Sequence, residues 1–168
     1  LVPTSAWKKL TYRVPWTTGE TPSISIGQGA VQMTPMQIAS LYATIANEGK
    51  IWRPFLVKRV INHIGETVLV HDSELIRSVD KIKAESFRVV KDGLEAVVMD
   101  KEGTGKSAAV EGQVIGGKTG SVQVVSLSKN RTNVDVSMMW REHAMFAAFS
   151  PVKNPEIAVA IVSEHDSV

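Results

Sequence analysis

The chain of 168 residues contains no cysteine, and that absence removes disulfides, thiolate metal sites and cysteine nucleophiles from consideration. It has no apolar run near the roughly 18 residues that a membrane-spanning helix needs, and its first residues, LVPTSAWKKL, are unlike a signal peptide. An excess of one charge is missing too, because 19 basic and 17 acidic residues leave a net charge of +2 without a long basic run. Nucleic acid is therefore not an expected partner.

An initial methionine is also missing, so we expect an excerpt of a longer protein, with any membrane anchor outside these residues. The length suits one domain or a piece of one. Apolar residues make up 43% and charged residues 21%, which is ordinary for a soluble globular protein and enough to bury a core. Without a repeat or a low-complexity tract, residues 1–168 are predicted to be a single piece with no internal boundary.

Two helices are predicted from apolar residues at helical spacing. In the first, Thr34 is the expected N-cap, Pro35 suits the first helical position, Gln37 completes a capping box, and Gly49 is the expected C-cap. The second is predicted at about 84–99. Residues 1–33 are rich in proline, threonine and glycine and are predicted to be irregular.

Strands are predicted at four places. Residues 55–70 read as a hairpin with its turn at 63–66, and strand-like runs follow at 113–126, 144–150 and 156–163. The last two are joined by the turn-rich PVKNP, which favours an antiparallel pair. The predicted fold class is α+β, an antiparallel sheet packed with helices.

Two glycine-framed lysines are candidates for chemistry, and the first is Lys106 in Gly105-Lys106-Ser107. It matches the end of the phosphate-loop pattern G-x-x-x-x-G-K-[ST]. However, the leading glycine position is Asp100, whose carboxylate would face phosphate oxygens, and the preceding LEAVVMD belongs to the predicted helix. A glycine-rich connection between helix and strand is the favoured interpretation, with a nucleotide-binding protein as an alternative.

The second is Lys118 in Gly117-Lys118-Thr119-Gly120-Ser121, inside a strand-like run. Glycine within a strand often marks a place where another backbone approaches closely, as an extended peptide on a strand edge requires. Lysine supplies a positive charge there, and the hydroxyls of Thr119 and Ser121 can bind a carboxylate. The K-T-G string alone is a weak signal, because three residues recur by chance.

Four blocks in order make the signal specific: SIGQG followed by TPMQIASLYATIANEGK, then GTGKSAA, then GGKTGSVQV, then REHAMFAAFSPVKNPEIAVAIVSE. Together they resemble the C-terminal portion of the transpeptidase domain of class B penicillin-binding proteins, particularly the penicillin-binding protein 2 type of cell elongation. The resemblance covers nearly the whole chain. It identifies Gly103–Ser107 as a loop of that family and favours Lys118 over Lys106 as the functional lysine.

The resemblance implies part of a penicillin-binding transpeptidase or serine β-lactamase-like fold. Its activity would be that of a serine D,D-transpeptidase, which cross-links peptidoglycan stem peptides and is acylated by β-lactams. The full-length protein would face the periplasm from the bacterial inner membrane and would bind membrane proteins of cell elongation. By the same resemblance, Lys118, Thr119, Gly120 and Ser121 bind substrate, with Lys118 polarising the hydroxyl network. The Ser121 amide would donate an oxyanion-hole hydrogen bond.

The family nucleophile lies in an S-x-x-K motif at a helix start. Four serines fit the spacing, namely Ser5, Ser78, Ser126 and Ser150, but none lies at a predicted helix start. We therefore expect the nucleophile upstream of Leu1 and an inactive isolated chain. A non-catalytic penicillin-sensing or interaction module of the same fold is the main alternative.

No cofactor or metal is expected. The four histidines, His63, His71, His143 and His165, show no i, i+3 or i, i+4 spacing of the kind that pairs metal ligands on a helix. Glu164-His165-Asp166 is interpreted as a solvated strand end rather than a catalytic trio.

Overall fold

The structure, a computed structural model, describes residues 1–122 and 142–165. Its helices are α1 Ser5–Tyr12, α2 Glu20–Ser25, α3 Pro35–Ala46 and α4 Ala84–Met99, with a short 3-10 helix at Lys106–Ala108. Its strands are β1 Lys50–Trp52, β2 Arg59–Ile61, β3 Thr67–Val70, β4 Leu75–Ser78, β5 Gly116–Val122, β6 His143–Ser150 and β7 Ile157–Ser163. The α+β class, the second helix, the hairpin and the strands predicted at 144–150 and 156–163 are confirmed. The strand predicted at 113–126 is observed as Gly116–Val122, and its residues 123–126 lie outside the described residues.

The strands form three sheets. The largest has the order β5-β6-β7, and the other two are the antiparallel pairs β1-β4 and β2-β3. Along β5, a Cβ added to Gly116 would contact Phe149, one added to Gly117 would contact Ala148, and one added to Gly120 would contact Met145. Partner numbers fall as β5 numbers rise, so β5 and β6 run antiparallel. Within the described residues β5 is therefore an edge strand, with β6 as its neighbour.

Helix α3 begins as predicted. The Thr34 amide donates to Gln37 Oε1 at 2.9 Å, and the Gln37 amide donates to Thr34 Oγ1 at 3.2 Å, which is a reciprocal capping box. The predicted end is wrong in detail, because the left-handed turn starts one residue earlier. Glu48 has a φ of 55° and Gly49 a φ of 95°. The Glu48 amide donates to Ile45 O, and the Gly49 amide donates to Thr44 O, the two bonds of a Schellman motif.

The prediction that residues 1–33 are irregular is wrong, because α1 and α2 lie there. Thr4 caps α1 by accepting from the Trp7 amide at 3.1 Å. Lys8 in α1 and Glu20 in α2 then form an ion pair at 2.6 Å, and the Glu20 carboxylate also accepts from the Thr17 amide. Helices of 8 and 6 residues are only marginally stable by propensity alone. These contacts therefore supply stabilisation that the local sequence does not provide.

The described residues group into two compact units, each built from separate stretches of chain. Unit 1 comprises Leu1–Gln37, Gly120–Met145 and Ile161–Val168 as far as these are described, and unit 2 comprises Ile38–Thr119 and Phe146–Ala160. The chain passes between the units inside α3, β5, β6 and β7, so no linker marks a boundary. A single transpeptidase piece over 1–168 stays a prediction.

The hydrophobic core that can be described lies in unit 2. Ala46 of α3 packs with Phe149 of β6 and with Val152, and partly buried residues surround them, namely Tyr42, Ile45, Leu94 and Ala158. Apolar residues of α3 and α4 thus cover part of the sheet, as the helical spacing predicts. None of the helices in the described residues is long and apolar enough to cross a bilayer.

Candidate functional site

The four predicted site residues follow one another on β5. Its first two residues, Gly116 and Gly117, are buried, Lys118 is exposed, Thr119 and Gly120 are half-buried, and Ser121 is exposed. Lys118 and Thr119 belong to unit 2, whereas Gly120 and Ser121 belong to unit 1. The strand is therefore buried at its start and exposed at its end, and the buried glycines at its start anchor the polar residues that follow.

The Lys118 side chain folds back onto its own strand. Its Nζ donates a hydrogen bond of 2.7 Å to the main-chain carbonyl of Thr119. Adjacent side chains on a strand point to opposite faces. Because the acceptor is a main-chain carbonyl, the bond brings the ammonium to the strand backbone at Lys118 and Thr119. A lysine side chain at an edge strand can attract the carboxylate of an extended peptide.

Thr119 is oriented by a second threonine. Its Oγ1 donates to Oγ1 of Thr104 at 3.2 Å, and Thr104 lies in the loop between α4 and the 3-10 helix. That loop is pressed against the end of α4, since the Gly105 amide donates to the Val97 carbonyl at 2.9 Å. A Cβ on Gly103 would lie 2.3 Å from the same carbonyl oxygen. The glycines of the GTG run thus allow close packing that places Thr104 beside Thr119.

This geometry bears on Lys106 as well. A phosphate loop connects a strand to a helix, with backbone amides lining the anion site. Here the Lys106 segment follows helix α4 and forms a 3-10 helix of 3 residues. The loop glycines are used for packing on α4. The structure therefore agrees with the helix-to-strand connection that the sequence favours.

Gly120 and Ser121 are held within unit 1. A Cβ on Gly120 would come 3.2 Å from the Met145 methyl group, so part of the need for glycine is packing against β6. The Ser121 carbonyl accepts a 2.9 Å hydrogen bond from Nε2 of Gln28, a residue 93 positions away in sequence. Sequence reasoning missed this contact, although Gln28 lies in the SIGQG block quoted for the resemblance.

The S-x-x-K serines occupy different settings. Ser5 opens α1, so its predicted place in an irregular segment is wrong, but the Lys8 ammonium is bound to Glu20 at 2.6 Å. Ser78 ends β4, and Ser150 ends β6, where its hydroxyl donates to the Val114 carbonyl at 3.3 Å. Ser126 lies outside the described residues. Of the described candidates, Ser5 therefore lies at a helix start with its lysine bound to Glu20, and Ser78 and Ser150 lie at strand ends.

Two histidines meet that sequence spacing does not link. The rings of His143 and His165 lie edge to face with centroids 4.8 Å apart, and the His165 amide donates to Nδ1 of His143 at 3.0 Å. His143 Nδ1 is thus a hydrogen-bond acceptor. Of the strand end Glu164-His165-Asp166, Glu164 is exposed, in agreement with the solvated interpretation, His165 is half-buried and bound to His143 of β6, and Asp166 lies outside the described residues. Across residues 1–122 and 142–165, no three side chains of ligand type come together as a metal site.

Comparison with known proteins places the chain in one family. The family model described as penicillin binding protein transpeptidase domain matches residues 3–167. The peptidoglycan D,D-transpeptidase MrdA of Haemophilus influenzae is 32% identical over 167 residues, which are 98% of this chain and 25% of that protein. The chain therefore spans about a quarter of the length of the curated relatives that it matches.

Solved structures agree in fold. Penicillin-binding protein 2 of Pseudomonas aeruginosa, solved in complex with WCK 5153, is 34% identical with a TM-score of 0.70, and the match covers 98% of this chain and 33% of that one. Penicillin-binding protein 2 of Helicobacter pylori, solved in complex with MreC, is 25% identical with a TM-score of 0.75, covering 98% of this chain and 27% of that one.

Proposed function

The chain belongs to the penicillin-binding protein transpeptidase family, and on that basis we propose that it is the C-terminal part of a peptidoglycan D,D-transpeptidase. In this reaction a serine attacks a D-Ala-D-Ala carbonyl, an acyl-enzyme forms, and the amine of a second stem peptide resolves it. β-Lactams acylate the same serine. Support comes from the family match over 165 of the residues, 3–167, and from relatives named as D,D-transpeptidases.

The single observation that carries the site assignment is the Lys118 ammonium on the backbone of edge strand β5, 2.7 Å from the Thr119 carbonyl. An edge strand offers unpaired backbone groups to an extended peptide. Lys118 then polarises the hydroxyl network of the cleft, while the hydroxyls of Thr119 and Ser121 bind the substrate carboxylate. The Ser121 amide stabilises the oxyanion, and Gly120 keeps the approach free of a side chain.

The attacking serine lies outside these residues. Ser5 is the one described candidate at a helix start, and its lysine partner is unsuited to act as a base. Lys8 is bound to the Glu20 carboxylate at 2.6 Å, whereas a general base has to be within hydrogen-bond reach of the serine hydroxyl. Ser78 and Ser150 end strands and so lack a lysine one helical turn away. The isolated chain accordingly does not perform the covalent step.

The proposed partners and location are those of the full-length protein. Stem peptides and β-lactams bind at the β5 edge, and the full-length protein acts at the periplasmic face of the inner membrane with membrane proteins of cell elongation. One relative of this fold, from Helicobacter pylori, was solved together with MreC, which supports a partner of that kind. Cofactors and metals have no part in the proposed reaction, because serine acyl transfer proceeds with protein groups alone.

The test is acylation of the full-length protein by a fluorescent penicillin, comparing Lys118→Ala with Lys106→Ala. Both substitutions remove an ammonium from a glycine-framed lysine. We expect Lys118→Ala to lower the second-order acylation rate constant by roughly 100-fold, since a proton-relay group is lost. Lys106→Ala is the matched control and is expected to acylate at the wild-type rate.

Lys118→Arg separates charge from proton transfer, because arginine keeps the cation but does not deprotonate. It should retain affinity for the penicillin and lose the acylation rate. Wild-type labelling of Lys118→Ala, or an equal loss in Lys106→Ala, would overturn the assignment of Lys118.

A further inference from the structure

We propose that Gln28 is a positioning residue for the oxyanion strand, acting through its hydrogen bond to the main chain of Ser121. The proposal rests on the proposed function, in which the Ser121 amide stabilises the oxyanion. Gln28 itself contacts neither the nucleophile nor the substrate in this assignment.

The turn that carries Gln28 has a defined shape. Gly27 and Gly29 on either side have φ values of 77° and 73°, in the left-handed region that favours glycine. The Gly27 amide donates to Ile24 O at 3.0 Å, and the Gln28 amide donates to Ser23 O at 2.9 Å. These bonds fix the backbone of Gln28 against the end of α2. The side chain therefore leaves the turn in a set direction instead of sampling many.

At the end of that side chain, Nε2 donates to the Ser121 carbonyl at 2.9 Å, and Gln28 is half-buried. The bond fixes the plane of the peptide unit that follows Ser121 and so restricts ψ at Ser121. On the other side of Ser121, Gly120 has the freedom of a residue without Cβ. The outer edge of β5 has no partner strand among the described residues, so an external contact there helps Ser121 to hold one orientation. Gln28 supplies that contact.

The effect should appear in catalysis more than in stability. Ser121 is exposed, so water can replace the amide donor when Gln28 is shortened, and the carbonyl is not left unsatisfied. Water does not, however, keep the peptide plane in one direction. Oxyanion donors are effective because they are oriented before charge develops, so a looser Ser121 lowers the acylation rate while binding and folding are retained.

The experiment uses the full-length protein with Gln28→Ala, Gln28→Glu and the control Gln32→Ala. Gln32 is exposed on the same segment, and its main chain exchanges hydrogen bonds with Leu1. Stopped-flow measurement with a chromogenic cephalosporin separates the dissociation constant of the initial complex from the acylation rate constant. We expect Gln28→Ala to lower that rate constant roughly fivefold, the size of one lost neutral hydrogen bond, with unchanged dissociation constant and thermal midpoint.

Gln28→Glu provides a readout that a structural role would not give. At pH 7 its carboxylate faces the Ser121 carbonyl oxygen, so the loss should exceed that of Gln28→Ala. As the pH falls toward about 5, the carboxyl begins to regain its proton, because the ordinary pKa of glutamate is about 4.3, and it again donates. The rate relative to wild type at the same pH should rise.

The outcomes are distinct. If Gln28→Ala acylates at the wild-type rate, or loses rate only in parallel with its thermal midpoint, the positioning role of Gln28 is refuted. If Gln28→Glu shows no relative recovery at low pH, it is refuted as well. If Lys118→Ala keeps full labelling, it is the proposed function that fails, whatever Gln28 does.

Discussion

At the residue scale, two ion pairs of equal length differ in their surroundings. Lys8–Glu20 and Arg53–Glu74 both measure 2.6 Å, but the first pair has side chains 13% and 31% exposed and the second 57% and 58%. Exposed pairs contribute little because water screens them. Lys8–Glu20 also joins two short helices, whereas Arg53 and Glu74 flank the paired strands β1 and β4, and a main-chain hydrogen bond already joins these two residues.

The first residue-scale prediction concerns the pH dependence of the stability of α1. The hydrogen bond from Lys8, followed by that from the Thr17 amide, lowers the pKa of Glu20 below the ordinary value of a glutamate. A lowered folded-state pKa gives a contribution that is present above about pH 4.5 and lost as the pH falls through the lower value. Amide hydrogen exchange of α1, corrected for intrinsic rates, should therefore show protection at pH 6 that declines toward pH 3.

Variants locate this effect. Glu20→Gln should weaken α1 protection at pH 6 and remove its pH dependence, whereas Glu74→Gln should leave α1 unchanged. Protection of wild-type α1 that stays constant from pH 6 to pH 3 contradicts the role given to Glu20.

At the scale of elements, the packing of the 102–105 loop on α4 explains Gly103 but not Gly93. Gly103 faces the carbonyl oxygens of Val97 and Ala96, which a Cβ would approach to 2.3 Å and 2.7 Å. Gly93, inside α4, has open space within 4 Å of its missing Cβ. The first glycine is required by contact, and the second only weakens the helix.

Opposite stability changes are therefore predicted for the same substitution. Gly103→Ala should destabilise by about 3 kcal/mol, because backbone atoms at that distance must move. Gly93→Ala should stabilise by up to about 1 kcal/mol through helix propensity. Thermal midpoints of the full-length protein, followed by scanning calorimetry, should fall for Gly103→Ala and rise slightly for Gly93→Ala. Equal midpoints for the two variants would contradict the packing of the loop on α4.

At the scale of the whole molecule, each unit leaves apolar surface uncovered. In unit 2, Leu56 is 94% exposed and Val68 is 67% exposed near and within the β2-β3 hairpin, and a groove of about 200 Å³ opens between sheet residues that include Phe146 and Val159. Isolated soluble proteins seldom expose contiguous apolar surface. We therefore expect the 168-residue chain, produced alone, to bind a hydrophobic dye that the full-length protein binds weakly.

The location of the nucleophile is also a prediction about the whole molecule. After the full-length protein reacts with penicillin, peptide mass spectrometry should find the adduct on a serine outside these 168 residues. The 168-residue chain incubated with the same penicillin should gain no mass. An adduct on Ser5, Ser78, Ser126 or Ser150 contradicts the proposal that this part lacks the covalent step.

Local patterns determined the elements that the sequence predicted correctly. The capping box at Thr34 and Gln37 and the apolar spacing of α4 involve residues within a few positions, so their signals are written in adjacent residues. The same holds for the β2-β3 hairpin, whose turn is closed by the Asn62 side chain and by Gly65 with a φ of 85°. The K-T-G run likewise marks Lys118–Ser121 without structural knowledge, although their roles stay predictions.

Only the tertiary structure decided the rest, because those features depend on partners distant in sequence. Helix α1 is held through Lys8 and Glu20, β1 pairs with β4 across a whole hairpin, and His143 meets His165. Gln28 reaches Ser121 across 93 positions. Such contacts form only when distant parts of the chain come together, which costs loop-closure entropy. Packing between distant residues offsets that cost, and a short window of sequence does not show which residues will pack. The sequence alone thus marked the residues that are proposed to carry the chemistry, and the fold decided which distant residues contact them.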